Sequence, residues 1–159
     1  MIENISVIQA IQLILAPGVM INACGLLLLG IGNKFSTILH RIRALNEEKR
    51  KLFLRAGDHS FSPIENQRLE SIARQVKTLL TRAQLVRNAL FCYFIAVGTF
   101  VGTSLLIGFD FVAPQLGLRV AVLWVFLAGM VILFGGIVFA VRDTLKAFLV
   151  VQFEVQVDD

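Results

Sequence analysis

The sequence predicts an all-α integral membrane protein, with three transmembrane helices and long cytoplasmic helical extensions that form an antiparallel hairpin. Three observations predict it. Residues 5–32, 89–109 and 120–141 carry no charged side chain, and each window reaches the roughly 20 apolar residues that cross a bilayer core. Twelve of the 15 Lys and Arg fall between the first two windows: Lys34, Arg41, Arg43, Lys49, Arg50, Lys51, Arg55, Arg68, Arg74, Lys77, Arg82 and Arg87. Between them run apolar residues at helical spacing.

Composition agrees. The 159 residues are 57% hydrophobic and 16% charged, where a soluble domain averages about 25% charged. The apolar residues are segregated into long blocks, whereas an outer-membrane barrel shows many alternating segments of about ten residues. Positive charge collects on cytoplasmic segments, so the basic middle is expected inside the cell. The N-terminus then faces out and the C-terminus in. The net charge of +4 is chiefly a topology signal, with attraction to anionic lipid headgroups second. No recognisable nucleic-acid module or aromatic interleaving accompanies the basic residues, so nucleic acid is not expected as a partner.

Six segments follow: a first span with the N-terminus outside (1–32), a cytoplasmic helical hairpin (33–88), a second span (89–109), an outer turn (110–117), a third span (118–141), and a cytoplasmic C-terminal helix and tail (142–159). Ile21-Asn22-Ala23-Cys24 has the outline of a lipoprotein cleavage box, but the apolar run continues past it and no basic leader precedes it. The first span is therefore expected to be retained. At 100° per residue Gln12, Ala16, Val19, Ala23 and Gly30 share one face of that span, with Gln9 to one side. Gly18, Asn22, Gly25 and Gly32 form a second, small-residue seam. Amides in lipid need another helix or water, so these faces are expected to meet protein or a wet cavity. Both helix packing and a pore lining by Gln9, Gln12 and Asn22 fit that requirement.

Beyond Gly32, the stripe Phe35, Ile38, Ile42, Leu45 and Leu52 predicts an amphipathic helix that ends near Arg55. Ser62-Pro63-Ile64-Glu65 restarts a helix as cap, first-turn proline and capping-box acid. From there Leu69, Ile72, Val76, Leu79, Ala83, Val86 and Leu90 step by three and four into the second span. The partner of this seam is the first stripe, or else a second subunit. Lys34, His40, Arg41, Arg43, Arg82 and Arg87 are candidates for a cytoplasmic vestibule or for contact with lipid headgroups. His40, near the membrane surface, is either a titrating group at a pore mouth or a plain interfacial residue.

The second span holds Gly98 and Gly102 in a GxxxG spacing, and the third holds Gly129 and Gly136 one heptad apart, beside an Ala121, Ala128, Gly135 line. All suit close helix packing. Tyr93 and Trp124 are too few to make an aromatic belt. The outer turn is short, so the spans it joins are expected to be antiparallel neighbours.

Chemistry is sparse. There is no GxSxG, HExxH or phosphate loop, and the spans hold no acid or base that coupled proton transport would use. His40 and His59 lie at opposite ends of one predicted helix, too far apart to share a metal within a subunit. Cys24 and Cys92, each inside a span, read as small buried hydrophobes. No enzyme, cofactor or metal site is expected.

The opening Ile5-Ser6-Val7-Ile8-Gln9-Ala10-Ile11-Gln12-Leu13-Ile14-Leu15-Ala16-Pro17 and the later Ile38-Leu39-His40-Arg41-Ile42-Arg43-Ala44-Leu45 resemble the bacterial membrane family known as domain of unknown function 2721. The resemblance runs over nearly the whole chain and implies three spans in a bacterial inner membrane. An acidic residue is common in that family where this chain has His40, so no role that needs a carboxylate carries over to this position. Two functions remain: a homo-oligomeric passive channel lined by the first span, or a non-conducting scaffold that docks a protein partner through the hairpin. A three-helix monomer has too little wall to enclose a path, so the channel requires a ring of subunits.

Overall fold

The computed structural model describes residues 7–56, 62–113, 115 and 117–157, with side chains described over 15–54, 62–113, 115 and 117–148. Three helices make up almost all of it, and no strand occurs among the described residues: α1 (Val7–Ala56), α2 (Pro63–Val112) and α3 (Arg119–Val157). The helices have 50, 50 and 39 residues, or about 75, 75 and 58 Å at 1.5 Å per residue. A hydrocarbon core is about 30 Å thick. All three are long and apolar enough to cross one.

The surface suits lipid better than water. Leu26, Phe94 and Phe134 are 66%, 62% and 67% exposed. In water so continuous an apolar exterior would drive aggregation; against acyl chains it carries no such cost.

Helix α2 lies between the other two and packs along both, while α1 and α3 scarcely touch. Two apolar clusters follow its length. In the first, Ile38, Ile42 and Leu45 of α1 bury against Ile72, Leu79, Ala83 and Val86 of α2. Residues far along α1 meet residues early in α2, and Arg68 of α2 reaches Glu48 of α1 at 2.8 Å. In the second, Cys24 of α1 and Leu133 of α3 close on Ala89, Tyr93, Ala96 and Phe100 of α2. The buried line Ile72, Leu79, Ala83, Val86, Ala89, Tyr93, Ala96, Phe100, Thr103 opens with one heptad and then steps by three and four from one cluster into the next, so one face of α2 serves the whole molecule.

Local chemistry fixes the ends. α2 opens with Ser62 as N-cap, at φ −61° and ψ 151°, and Pro63 in the first turn. The Ser62 N–H donates to Glu65 Oε2 at 2.9 Å, the reaching-back bond of a capping box. At the other end Asp110 accepts the Leu118 N–H at 3.2 Å and lies 3.8 Å from Arg119, satisfying a free donor where α3 begins. The backbone reverses at Gly117, whose φ of +59° favours a residue without Cβ.

The glycines divide sharply. A Cβ on Gly129 would stand 2.6 Å from Thr99 Oγ1, and one on Gly136 would stand 2.6 Å from a ring carbon of Tyr93. There α3 lies against α2 and has no room for a methyl. Around Gly98 and Gly102 nothing comes within 4 Å. Both are two residues from the inward-facing Phe100, and 200° of rotation turns them to the opposite side of α2.

Replacing Gly136 by Ala or Leu is therefore expected to lower thermal stability in detergent, by about 1–3 kcal/mol for the overpacking that Ala introduces and more for Leu. Gly98→Ala, in open space in a helix interior, does not destabilise and is expected to raise stability by about 0.5–1 kcal/mol. Reaction of buried Cys24 with a thiol-reactive dye during heating gives the midpoint in each case.

Candidate functional site

The one buried charge among the described residues is Asp143 of α3, whose side chain is wholly enclosed. It lies seven residues after Gly136 and fourteen after Gly129, so it continues the line of α3 that faces α2. Lys34 of α1 brings Nζ to 2.6 Å from Oδ2, and Arg82 of α2 brings Nε to 3.3 Å from Oδ1. The Arg82 contact is a hydrogen bond, with the guanidinium donating. The Lys34 contact is ionic: it lies off hydrogen-bonding directions, so Oδ2 receives no directed donor. The same ammonium donates to Thr144 Oγ1 at 3.1 Å, and the Thr144 hydroxyl donates to the Ala140 carbonyl at 3.0 Å.

One carboxylate thus collects a cation from each of the other helices, and through Lys34 it ties α1 directly to α3. Lys34 stands two residues past the charge-free window of α1, and Asp143 two past that of α3. The junction therefore sits where the apolar layer ends. It works as a clasp that ties the three helices together.

Of the residues singled out from sequence, Lys34 and Arg82 enter this clasp. His40, Arg41, Arg43 and Arg87 are exposed on their helices. Gln9 and Gln12 lie on α1, but their side chains fall outside those described. Asn22 is exposed inside the first apolar window and has no hydrogen-bond partner among the described residues. Nothing lies within 4 Å of a Cβ on Gly18 or Gly25, one on either side of it. Both polar faces of α1 thus point away from α2 over the described side chains, because Met20, Ile21, Cys24, Leu28 and Ile31 take the inner side. The hydroxyls of Thr99, Thr103 and Ser104 in α2 donate to backbone carbonyls of their own helix. That removes the need for a wet partner there.

Asp143 was not legible as a site when Arg142-Asp143 is read simply as the end of a span. The signal that finds it is the heptad line: an acid in register with two glycines chosen for contact with α2 has to be buried there, and a buried acid needs cations.

A family model described as a protein of unknown function (DUF2721) matches residues 14–153. The chain belongs to this family. No curated protein and no solved structure matches it. The match takes in all three members of the clasp and ends within α3, so the DUF2721 region and the described helical bundle are nearly the same stretch of chain.

In this DUF2721 chain, Asp143→Asn leaves Lys34 and Arg82 crowded without a counter-charge. Stability is expected to fall by about 3–5 kcal/mol, the usual cost of breaking a buried ion pair from one side. Replacing all three together, as Lys34→Met, Arg82→Met and Asp143→Leu, is expected to recover most of the loss. Thermal midpoints of wild type and the two variants in one detergent decide it. A triple variant as unstable as Asp143→Asn would contradict this account.

Proposed function

We propose that the chain is a homo-oligomeric protein of the bacterial inner membrane, with its subunits assembled around α1 to enclose a passive path for ions or small solutes. The observation that carries this reading is Asn22, an amide exposed in an apolar window with no partner among the described residues. An unsatisfied amide facing lipid is costly, and a helix from another copy relieves the cost. An amide both donates and accepts, so the same residue on a second α1 is its natural complement. Open space around Gly18 and Gly25 allows that backbone to come close. Gln12 and Gln9 lie on the adjoining face and would line the enclosed axis.

In this reading the ends of α1 and α2 beyond Lys34 and Arg82 form an antiparallel hairpin in the cytoplasm, with the N-terminus periplasmic. The count of basic residues between the spans supports that orientation. Arg41, Arg43 and His40 surround the inner mouth.

A second reading, a non-conducting scaffold, draws on the hairpin tip. Past the Glu48–Arg68 pair, Leu54 and Ile64 are 72% and 78% exposed, too far from the apolar windows to be covered by lipid. A protein partner docked there accounts for them.

Light scattering of the purified protein in neutral detergent, with flux into liposomes, tests the main reading. A defined oligomer is expected. Asn22→Leu should raise its dissociation constant about tenfold, equivalent to about 1.4 kcal/mol, and Gln9→Leu with Gln12→Leu should abolish flux while leaving the oligomer intact. A monomeric protein, or an oligomer indifferent to Asn22→Leu, overturns the assembly. An oligomer that conducts nothing and co-purifies with a fixed partner favours the scaffold.

A further inference from the structure

The charges around the clasp do not balance. Within about one turn of Asp143 stand Lys34 and Arg82, which share it, and Arg142 and Lys146, which have no ion-pair or hydrogen-bond partner among the described residues and are exposed. Four cations therefore meet one carboxylate. Arg142 and Lys146 are four residues apart and share a face of α3. At 100° per residue that face continues toward the outer side through Val131 and Trp124, 71% and 67% exposed. An apolar strip thus ends in two exposed cations at the edge of the layer.

We propose that this face of α3 is a binding site for an anionic phospholipid of the inner leaflet, the phosphate seated on Arg142 and Lys146 and an acyl chain lying along Val131 toward Trp124. Guanidinium and ammonium groups pair strongly with phosphate oxygens, the more so at the border of a low-dielectric layer. The excess positive charge of the clasp adds to the attraction over the few ångströms involved. The strip above the cations selects a lipid over a free phosphate ion, because only a lipid fills both halves. A zwitterionic lipid brings its own cation into the same place and loses most of the gain. The site is complete within one subunit and stands or falls apart from assembly through α1.

Native mass spectrometry of the full chain from dodecyl maltoside micelles doped with equal amounts of phosphatidylglycerol and phosphatidylcholine tests this. Wild type is expected to retain severalfold more phosphatidylglycerol. In Arg142→Gln with Lys146→Gln the preference should vanish, while the charge-conserving Arg142→Lys with Lys146→Arg keeps it. Arg50→Gln, about 24 Å along α1 from Lys34 at 1.5 Å per residue, should not alter it. Equal retention of the two lipids by wild type overturns the proposal, as does a preference that survives loss of both cations. Inorganic phosphate at 50 mM should leave the preference in place; displacement of the lipid by it would identify the site as one for the free ion. Dye-monitored unfolding establishes that each variant is folded, and should the doubly neutralised protein fail to fold, Lys146→Gln alone must reduce the preference.

Discussion

A carboxylate with no solvent exposure is among the more demanding things a small helical protein can contain, because leaving it without cations costs far more than the apolar packing around it can offset. Asp143 meets that demand with one cation from each of the other helices. The requirement then propagates outward. For Lys34 and Arg82 to arrive together, α1 and α2 must be in a single register, and that register brings Ile38, Ile42 and Leu45 onto Ile72, Leu79 and Val86. For Asp143 to be buried, its line of α3 must face α2, which is the line cleared at Gly129 and Gly136. Apolar seams alone tolerate a slide of one heptad; a single buried charge does not.

The placement of the clasp matters as much as its strength. Deep in the hydrocarbon its three charges would be prohibitive, and well below it water would screen them to near nothing. At the end of the apolar windows the carboxylate is enclosed by its two cations while each cation keeps an exposed edge. Lys34 and Arg82 remain 32% and 21% accessible. The clasp thus fixes the level at which the three helices are held to one another.

Most of the architecture was legible in the sequence because lipid leaves few choices. Charge-free windows must be helices, since no other unpaired backbone survives there, and the Ser62-Pro63-Ile64-Glu65 run marks the start of α2 by chemistry that hardly depends on the rest of the fold. The stripe through Ile38, Ile42 and Leu45 was equally plain. What was not legible is which helix faces meet. Gly98 and Gly102 have the spacing of a contact motif, yet Phe100 between them is what packs inward. GxxxG reports that a backbone can be approached, and only the bulky residues around it decide whether the approach is internal. In α1 the same ambiguity ran the other way. Its amide-bearing faces carry the more conspicuous residues, and the plainly apolar side with Cys24 is the one buried.

The two kinds of small-residue line therefore have different meanings. On α3 the glycines that face α2 are filled to the limit of contact, so they build the subunit. On α1 and α2, Gly18, Gly25, Gly98 and Gly102 are open. Open glycines on a lipid-facing helix confer nothing on an isolated bundle, because they give up side-chain packing and add backbone freedom. Asn22 among them adds a polar group that lipid cannot satisfy. The chain settles its internal packing with a buried ion clasp and two tight glycines, while Asn22 and the glycines Gly18, Gly25, Gly98 and Gly102 stay on faces that the other two helices leave open.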